Sequence, residues 1–535
     1  MEEMILLGAE AIAQGAIDAG MSGVYAYPGT PSTEITEYIQ RHPVVRELNI
    51  HAAWSANEKT AYEAALGMSY CGKRAMVCMK HVGLNVAADP FINSAITGAG
   101  GGLILAVADD PSMHSSQNEQ DSRFYGKFAL IPVLEPSNQQ EAYDMAYEGF
   151  NLSEKYGLPV MIRITTRLSH SRSVVTIKTR QPENDLHIPD DRKQFVLLPS
   201  VARKRYHQLL DVQPELVTAS ELSPYNSLHL KEQASLGIIA CGLANNYLRE
   251  SFPDGVPYSV LKIGQYPVPV KLIRQLAAKS ERILVLEEGY PLLEELLLGI
   301  TDTEHPRILG RLDGTLPRDG ELNPDLVARA LQIESHEGPP VPGFLANRPP
   351  MLCPGCGHAD MFKALLTAIK PYSNGRSFSD IGCYTLGALP PFNAINSCVD
   401  MGASITMAKG AADAGLIPAV AVIGDSTFTH SGMTGLLDAV NERSPITVII
   451  SDNETTGMTG GQHSSATGHL EKICLGIGVE PEHLHVIIPL RKNHKQNAEL
   501  ISRELKYPGV SVVISRRECI QTAARRKRVK KVTVS

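Results

Sequence analysis

Two short acidic segments offer the plainest chemistry in this sequence. Gly424, Asp425 and Ser426 end an apolar run, AVAVIGDS (419–426), and a glycine-containing helical pattern, THSGMTGLLDAV, follows. A carboxylate at the C-terminal end of a strand sits where α/β sheets bind ligands. The N–H groups that open the next helix can face a diphosphate. A second apolar run, ITVIISDN (446–453), ends in Asp452–Asn453. One carboxylate, one amide and one backbone carbonyl make a suitable oxygen set for Mg²⁺, which also takes phosphate oxygens. The same residues also fit two ordinary strand-to-loop turns, because Gly-Asp and Asp-Asn are common turn pairs. His430 and His463 flank the region and suit either proton transfer or turn stabilisation.

Cysteine spacing gives a second candidate. Cys353 and Cys356 form a C-x-x-C, Cys383 lies 27 positions after Cys356, and Cys519 stands in RREC. A C-x-x-C alone is compatible with zinc, with redox chemistry or with neither. The other five of the nine cysteines (71, 78, 241, 398 and 474) are expected to be buried apolar residues.

The elements that must position these residues are α/β. VYAYP (24–28), RAMVCMK (74–80), GLILAVADD (102–110) and PVMIRITT (159–166) predict short apolar strands separated by helical patterns. SLGIIACG (235–242) and RILVLEEGYP (282–291) predict a second set, and 419–426, 446–453 and VSVVISRR (510–517) a third. The stretch HEGPPVPGFLANRPP (336–350) predicts a domain boundary. With 535 residues, about three domains are expected. They are placed at 1–190, 231–345 and 346–520, with a linker at 191–230 and a basic tail at 521–535.

Composition removes several classes. A net charge of −7 gives no sign of non-specific nucleic-acid binding. No apolar run reaches the roughly 18 residues of a membrane span. The N-terminus, MEEMILLGAEAIAQGAIDAG, carries acids where a secretion signal would carry bases, and predicts an amphipathic helix and a cytoplasmic protein. In a reducing compartment, clustered cysteines point to metal ligands or buried apolar residues rather than disulfides.

Longer motifs add a resemblance. Asn453 lies 28 positions after Asp425, which resembles the thiamine diphosphate motif, GDG followed by Asn after about 25–30 residues; Ser426 replaces its last glycine. YPGTPSTEI (27–35), NEKTAYEAALG (57–67), MKHVGLNVAADP (79–90), SSQNEQDSR (115–123), CPGCGH (353–358), DIGCYTLGALPP (380–391), MGASITMAKG (401–410) and GDSTFTHSGMTG (424–435) resemble large subunits of the indolepyruvate:ferredoxin oxidoreductase family, in the family's order.

The resemblance implies two thiamine-diphosphate-binding parallel-sheet domains flanking a transketolase C-terminal-like α/β domain. The first would bind the cofactor's pyrimidine and the third its diphosphate. Asp425, Asn453 and the Thr455 carbonyl would hold Mg²⁺, with Gly424 and Ser426 beside the diphosphate. Glu58 matches the glutamate that hydrogen-bonds the pyrimidine and promotes its imino tautomer; otherwise it would be a solvated surface residue. Thr30 would hydrogen-bond the 2-oxoacid, or else cap a helix. Arg123 would grip the substrate carboxylate bidentately, or else join a surface ion pair.

Cys353, Cys356, Cys383 and Cys519 would hold one [4Fe–4S] cluster. The implied reaction is oxidative decarboxylation of an aryl 2-oxoacid with coenzyme A. The implied partners are a small beta subunit and ferredoxin or another electron carrier, in an oligomer. Family members usually continue into a ferredoxin-like domain, of which this sequence carries no cysteine run. Non-oxidative decarboxylase or carboligase chemistry, and a non-catalytic partner-binding subunit, are the competing expectations.

Overall fold

Apolar, β-branched runs become strands buried on both faces, as parallel sheets covered by helices require. Leu103–Asp109, Val160–Thr165, Ala75–Lys80 and Ile446–Asp452 are buried at every position. The computed structural model describes residues 2–532 other than 192, 233–234, 298, 300–305, 335–339, 341 and 347–349, and side chains up to 527. It divides into two units, 1–340 and 341–535. Most of the boundary expected at 336–350 lies outside the described residues.

In the first unit a seven-stranded sheet runs in the order Gln265–Tyr266, Val133–Leu134, Val160–Thr165, Leu103–Asp109, Ala75–Lys80, Gly23–Ala26, His51–Trp54. All pairings are parallel except that of the Gln265–Tyr266 edge. A five-stranded sheet follows: Arg307–Leu309, Arg282–Leu286, Leu236–Cys241, Ser259–Ile263 and an antiparallel edge, Ser227–His229. The segment expected as a separate middle domain is therefore tied to the first, because its Gln265–Tyr266 strand closes the first sheet. Buried residues from both segments also share their hydrophobic clusters.

Two local expectations change. The segment placed as linker holds helices Pro199–Asp211 and Gln213–Glu221; their mostly exposed side chains leave little apolar periodicity to read. The chain opens on a strand, Glu3–Leu7, paired antiparallel with Arg172–Thr176, before its first helix, Gly8–Asp18.

The second unit is a six-stranded, wholly parallel sheet ordered Ser397–Cys398, Arg376–Ser379, Ala419–Gly424, Ile446–Asp452, Ser511–Arg516, Leu484–Ile487. The basic run, expected to repel itself into a mobile tail, begins on a helix, Ile520–Val532. Arg525 donates to the Gly460 carbonyl at 2.5 Å and Arg526 pairs with Glu518 at 2.7 Å. The side chains of Arg528, Lys530 and Lys531 lie outside the described residues. Among the described residues no helix is long and apolar enough to cross a membrane.

Candidate active site

In the first unit, the candidate residues gather at the C-terminal ends of adjacent parallel strands. Helix Glu58–Tyr70 begins in a reciprocal cap: Asn57 Oδ1 accepts from the Thr60 N–H at 2.9 Å, and Thr60 Oγ1 accepts from the Asn57 N–H at 3.3 Å. The cap fixes Glu58 in the first turn, where it is only 5% exposed. It lies so close to Gly83 that a Cβ there would stand 2.6 Å from Glu58 Oε1. Glu58 is therefore not a solvated surface residue.

Thr30 is half-buried in the turn after strand Gly23–Ala26. The following helix, Thr33–Arg41, has Ser32 at its N-cap position, so Thr30 does not cap it. The Thr30 carbonyl accepts from Ser115 Oγ at 3.3 Å. Ser115 also offers its N–H to Asp110 Oδ2 at 2.8 Å, and its carbonyl accepts from Lys80 Nζ at 3.1 Å. Burial opposes ionisation of Asp110, yet bonds from Ser116, Thr166 and Ser115 hold its carboxyl below the usual range. Beside Lys80, His81 is 1% exposed; its Nε2 meets the Asn118 carbonyl at 3.2 Å and its Nδ1 has no hydrogen-bond partner.

Arg123 departs from expectation. It is 1% exposed, and its donors are spent within the protein. Nε and Nη2 bind Asp121, Nη1 meets Glu287 at 2.9 Å and Tyr266 Oη at 3.2 Å, and Nη2 also donates to the Glu288 and Tyr290 carbonyls. A guanidinium has five N–H donors, and none here is offered to a substrate carboxylate. Nor is this a surface ion pair: Arg123, Arg163, Asp109, Asp121, Glu135 and Glu287 form a buried charge lattice.

In the second unit, Asp425 follows strand Ala419–Gly424 and opens the turn Asp425–Thr427. A π-helical turn, Phe428–Gly432, comes next; such turns are often found at functional sites. Burial first, and then the neighbouring charge of Asp452, push the Asp425 carboxyl up to about 7. Asp425 Oδ2 and Asp452 Oδ1 are both buried without a hydrogen-bond partner. An unpaired buried carboxylate oxygen is costly, and a divalent cation removes that cost. Asn453 Oδ1 accepts from the Thr455 N–H at 3.2 Å, and its Nδ2 donates to His358 Nε2 at 3.3 Å. Burial pushes the His358 imidazole down to about 4, so it stays a neutral acceptor. The orphaned Asp425 oxygen suits a divalent cation such as Mg²⁺, and Asn453 and Thr455 stand at the end of the neighbouring strand, Ile446–Asp452. Ser426 Oγ lies 3.0 Å from Thr456 Oγ1, and Thr427 Oγ1 donates to the Ile381 carbonyl at 3.1 Å.

Cys353, Cys356, Cys383 and Cys519 line one cavity of about 150 Å³, together with His358 and Asn453. Burial, followed by the neighbouring thiols, raises Cys356 and pushes Cys383 up to about 11. Among the described residues no three His, Cys, Asp or Glu side chains stand together as a closed metal-binding group. The thiols converge on one space without forming a coordination shell. Of the other cysteines, Cys78, Cys241 and Cys474 are buried, but Cys71 is half-buried and Cys398 is exposed. His430 is buried with Nδ1 2.7 Å from Ser431 Oγ, while His463 is exposed on strand Gln462–His463.

Lys80, His358 and Asp380 were not singled out from the sequence. Asp380 is buried, accepts from Tyr384 and from Ser404 Oγ at 2.6 Å, and is pushed up to about 7 by burial. All three lie inside motifs quoted above, MKHVGLNVAADP, CPGCGH and DIGCYTLGALPP, which is the signal that could have found them.

Each unit thus carries a buried carboxylate at the C-terminal ends of parallel strands, Glu58 in the first and Asp425 in the second, and the family matches place the chain among thiamine-diphosphate-dependent enzymes. Residues 14–234 match the family described as "Pyruvate flavodoxin/ferredoxin oxidoreductase, thiamine diP-bdg", and residues 380–482 match "Thiamine pyrophosphate enzyme, C-terminal TPP binding domain". Over 99% of its length the chain is 39% identical to indolepyruvate oxidoreductase subunit IorA of Archaeoglobus fulgidus, covering 89% of that protein. Over 97% it is 38% identical to the same subunit of Pyrococcus horikoshii, covering 86%. The solved 2-oxoglutarate:ferredoxin oxidoreductase from Magnetococcus marinus has a similar fold, with a TM-score of 0.51 at 17% identity, over 62% of this chain and 65% of that one. The chain belongs to the family of indolepyruvate oxidoreductase IorA subunits, which are thiamine-diphosphate-dependent 2-oxoacid oxidoreductases.

Proposed function

We propose that the chain carries out oxidative decarboxylation of an aryl 2-oxoacid of the indolepyruvate kind, giving an acyl-CoA and CO₂. When bound, thiamine diphosphate supplies the carbon nucleophile for the 2-oxo carbon and the electron sink for loss of CO₂. Glu58 holds and moves the proton at the pyrimidine end; its burial against Gly83 keeps the carboxyl away from water. The Thr30 turn faces the substrate. Asp425, Asn453 and the Thr455 carbonyl hold Mg²⁺, and Gly424 and Ser426 border the diphosphate.

Cys353, Cys356, Cys383 and Cys519 would hold a [4Fe–4S] cluster, which would supply one-electron transfer toward ferredoxin or another carrier. A small partner subunit completes the enzyme. The observation that carries the oxidative reading is the convergence of four thiols on the cavity that Asn453 also lines. Zinc could also take four cysteines but carries no electrons, so it would not serve the oxidation.

The test is iron and acid-labile sulfide analysis of anaerobically purified protein, alongside 2-oxoacid-dependent dye reduction with the partner subunit. About four irons per chain with coenzyme-A-dependent dye reduction is expected. Iron-free protein that still releases CO₂ from the 2-oxoacid would establish the non-oxidative reading instead. Iron-free protein without affinity for thiamine diphosphate would leave a partner-binding subunit.

A further inference from the structure

We propose that Lys80 is the residue that binds the carboxylate of the 2-oxoacid, the role that Arg123 is not free to take. The inference rests on the thiamine reading of Glu58. A 2-oxoacid brings a negative charge into a buried site, and leaving it uncompensated would be costly. A cation is needed near the proton-handling acid.

Lys80 ends strand Ala75–Lys80 and is 9% exposed. Its stem lies over Gly29, where a Cβ would stand 3.2 Å from Lys80 Cγ and Cδ. Its ammonium donates to the Ser115 carbonyl, and Ser115 Oγ bonds the Thr30 carbonyl. The Lys80 stem and the Ser115 bridge thus bracket the turn proposed to face the substrate. Asp110 and Glu58 are the acids whose charges favour the ammonium form of Lys80. Asp110 is already satisfied by Ser115, Ser116 and Thr166.

The other buried arginines and lysines described in the first unit are already paired. Arg74 is held by Glu154, Asn151, Gln181 and the Ala19 carbonyl. Arg123 and Arg163 belong to the charge lattice, Lys262 pairs with Glu141, and Arg311 donates to three backbone carbonyls. Lys80 has three donors and makes one hydrogen bond. A buried ammonium in that state is a receptor for an anion, and a carboxylate would supply acceptors for the two remaining donors. Burial also holds the amine below its ordinary range, against the pull of Asp110 and Glu58. An incoming carboxylate therefore stabilises the charged form that binds it.

The experiment uses the full chain with its partner subunit, and two probes: phenylpyruvate, and phenylacetone, which keeps the ketone and ring but lacks the carboxylate. Affinities are read by calorimetry, and thiamine diphosphate affinity is measured in parallel. A charge-assisted hydrogen-bonded contact predicts that Lys80→Met weakens phenylpyruvate roughly 10- to 100-fold. Phenylacetone and thiamine diphosphate binding should not change, and Lys80→Arg should recover part of the loss. In turnover the effect should fall on KM more than on kcat. Unchanged phenylpyruvate affinity in Lys80→Met overturns the proposal. Should that variant not fold, the unmutated protein still decides: equal affinity for the two probes overturns it as well. Unmutated protein that prefers phenylpyruvate but has no affinity for thiamine diphosphate would remove the thiamine reading and leave the Lys80 site standing.

Discussion

Gly83→Ala should separate activity from stability at the proposed proton-handling site. Gly83 sits in the short helix His81–Val86 and borders Glu58. A methyl group there would stand 2.6, 2.7 and 2.9 Å from Glu58 Oε1, Cγ and Cδ. Ordinary contact begins near 3.4 Å, so the carboxyl must retreat by about 0.8 Å. The obstacle is one side chain, Glu58, rather than backbone, so rotation of that side chain takes up the shift. Alanine also favours a helix by up to about 1 kcal/mol over glycine. Net stability should therefore stay within about 1 kcal/mol of the parent. Turnover should fall on the order of 100-fold, because an ångström-scale misplacement of a proton-handling group has about that effect. The assay is 2-oxoacid-dependent dye reduction at saturating cofactor, with urea unfolding in parallel. Gly67→Ala is the control: it lies on the helix that carries Glu58 and has open space around it. It should stabilise slightly and leave turnover unchanged. Full turnover in a folded Gly83→Ala protein would refute the placement of Glu58 at the reacting end.

Asp425→Asn should weaken Mg²⁺-dependent thiamine diphosphate binding at least ~100-fold, an order-of-magnitude expectation for losing the charged ligand. The cofactor-free protein should be no less stable, since a buried charge is removed; calorimetry and thermal melts check both halves. Arg123→Met should destabilise the protein by roughly 3–5 kcal/mol by stranding Asp121 and Glu287. A variant with unchanged urea midpoint but a raised substrate KM would restore Arg123 as the carboxylate ligand. Burial pushes the Glu288 carboxyl up to about 7, from an ordinary value of 4.5. A raised folded pKa favours folding while the group is protonated, so this contribution declines as pH rises from about 4.5 to about 7. Glu288→Gln mimics the protonated form and should flatten that slope, worth about 3 kcal/mol, in unfolding free energies measured across the interval.

What the sequence could determine was local. Apolar runs such as GLILAVADD and AVAVIGDS carry their own strand signal, and parallel strands bring their C-terminal ends to one edge. The positions of Asp425 and Asn453 on that edge followed directly. Glu58 followed too, because the family motif and a helix start coincide there. Tertiary structure decided how each charge is used. Arg123 looked free because Glu135, Glu287 and the Glu288 carbonyl, which claim it, lie on other elements, Glu287 and Glu288 more than 160 positions away. Lys80 looked ordinary because nothing in its own motif shows that it is buried with donors to spare. The middle segment joined the first domain through the two-residue strand Gln265–Tyr266, too short to carry a periodicity. The helices of 199–221 stayed hidden because only Leu209, Leu216 and Ser220 in them are buried. Local pattern reports burial and backbone direction. The partner of a given cation depends on contacts between distant segments, which exist only after the chain has closed on itself.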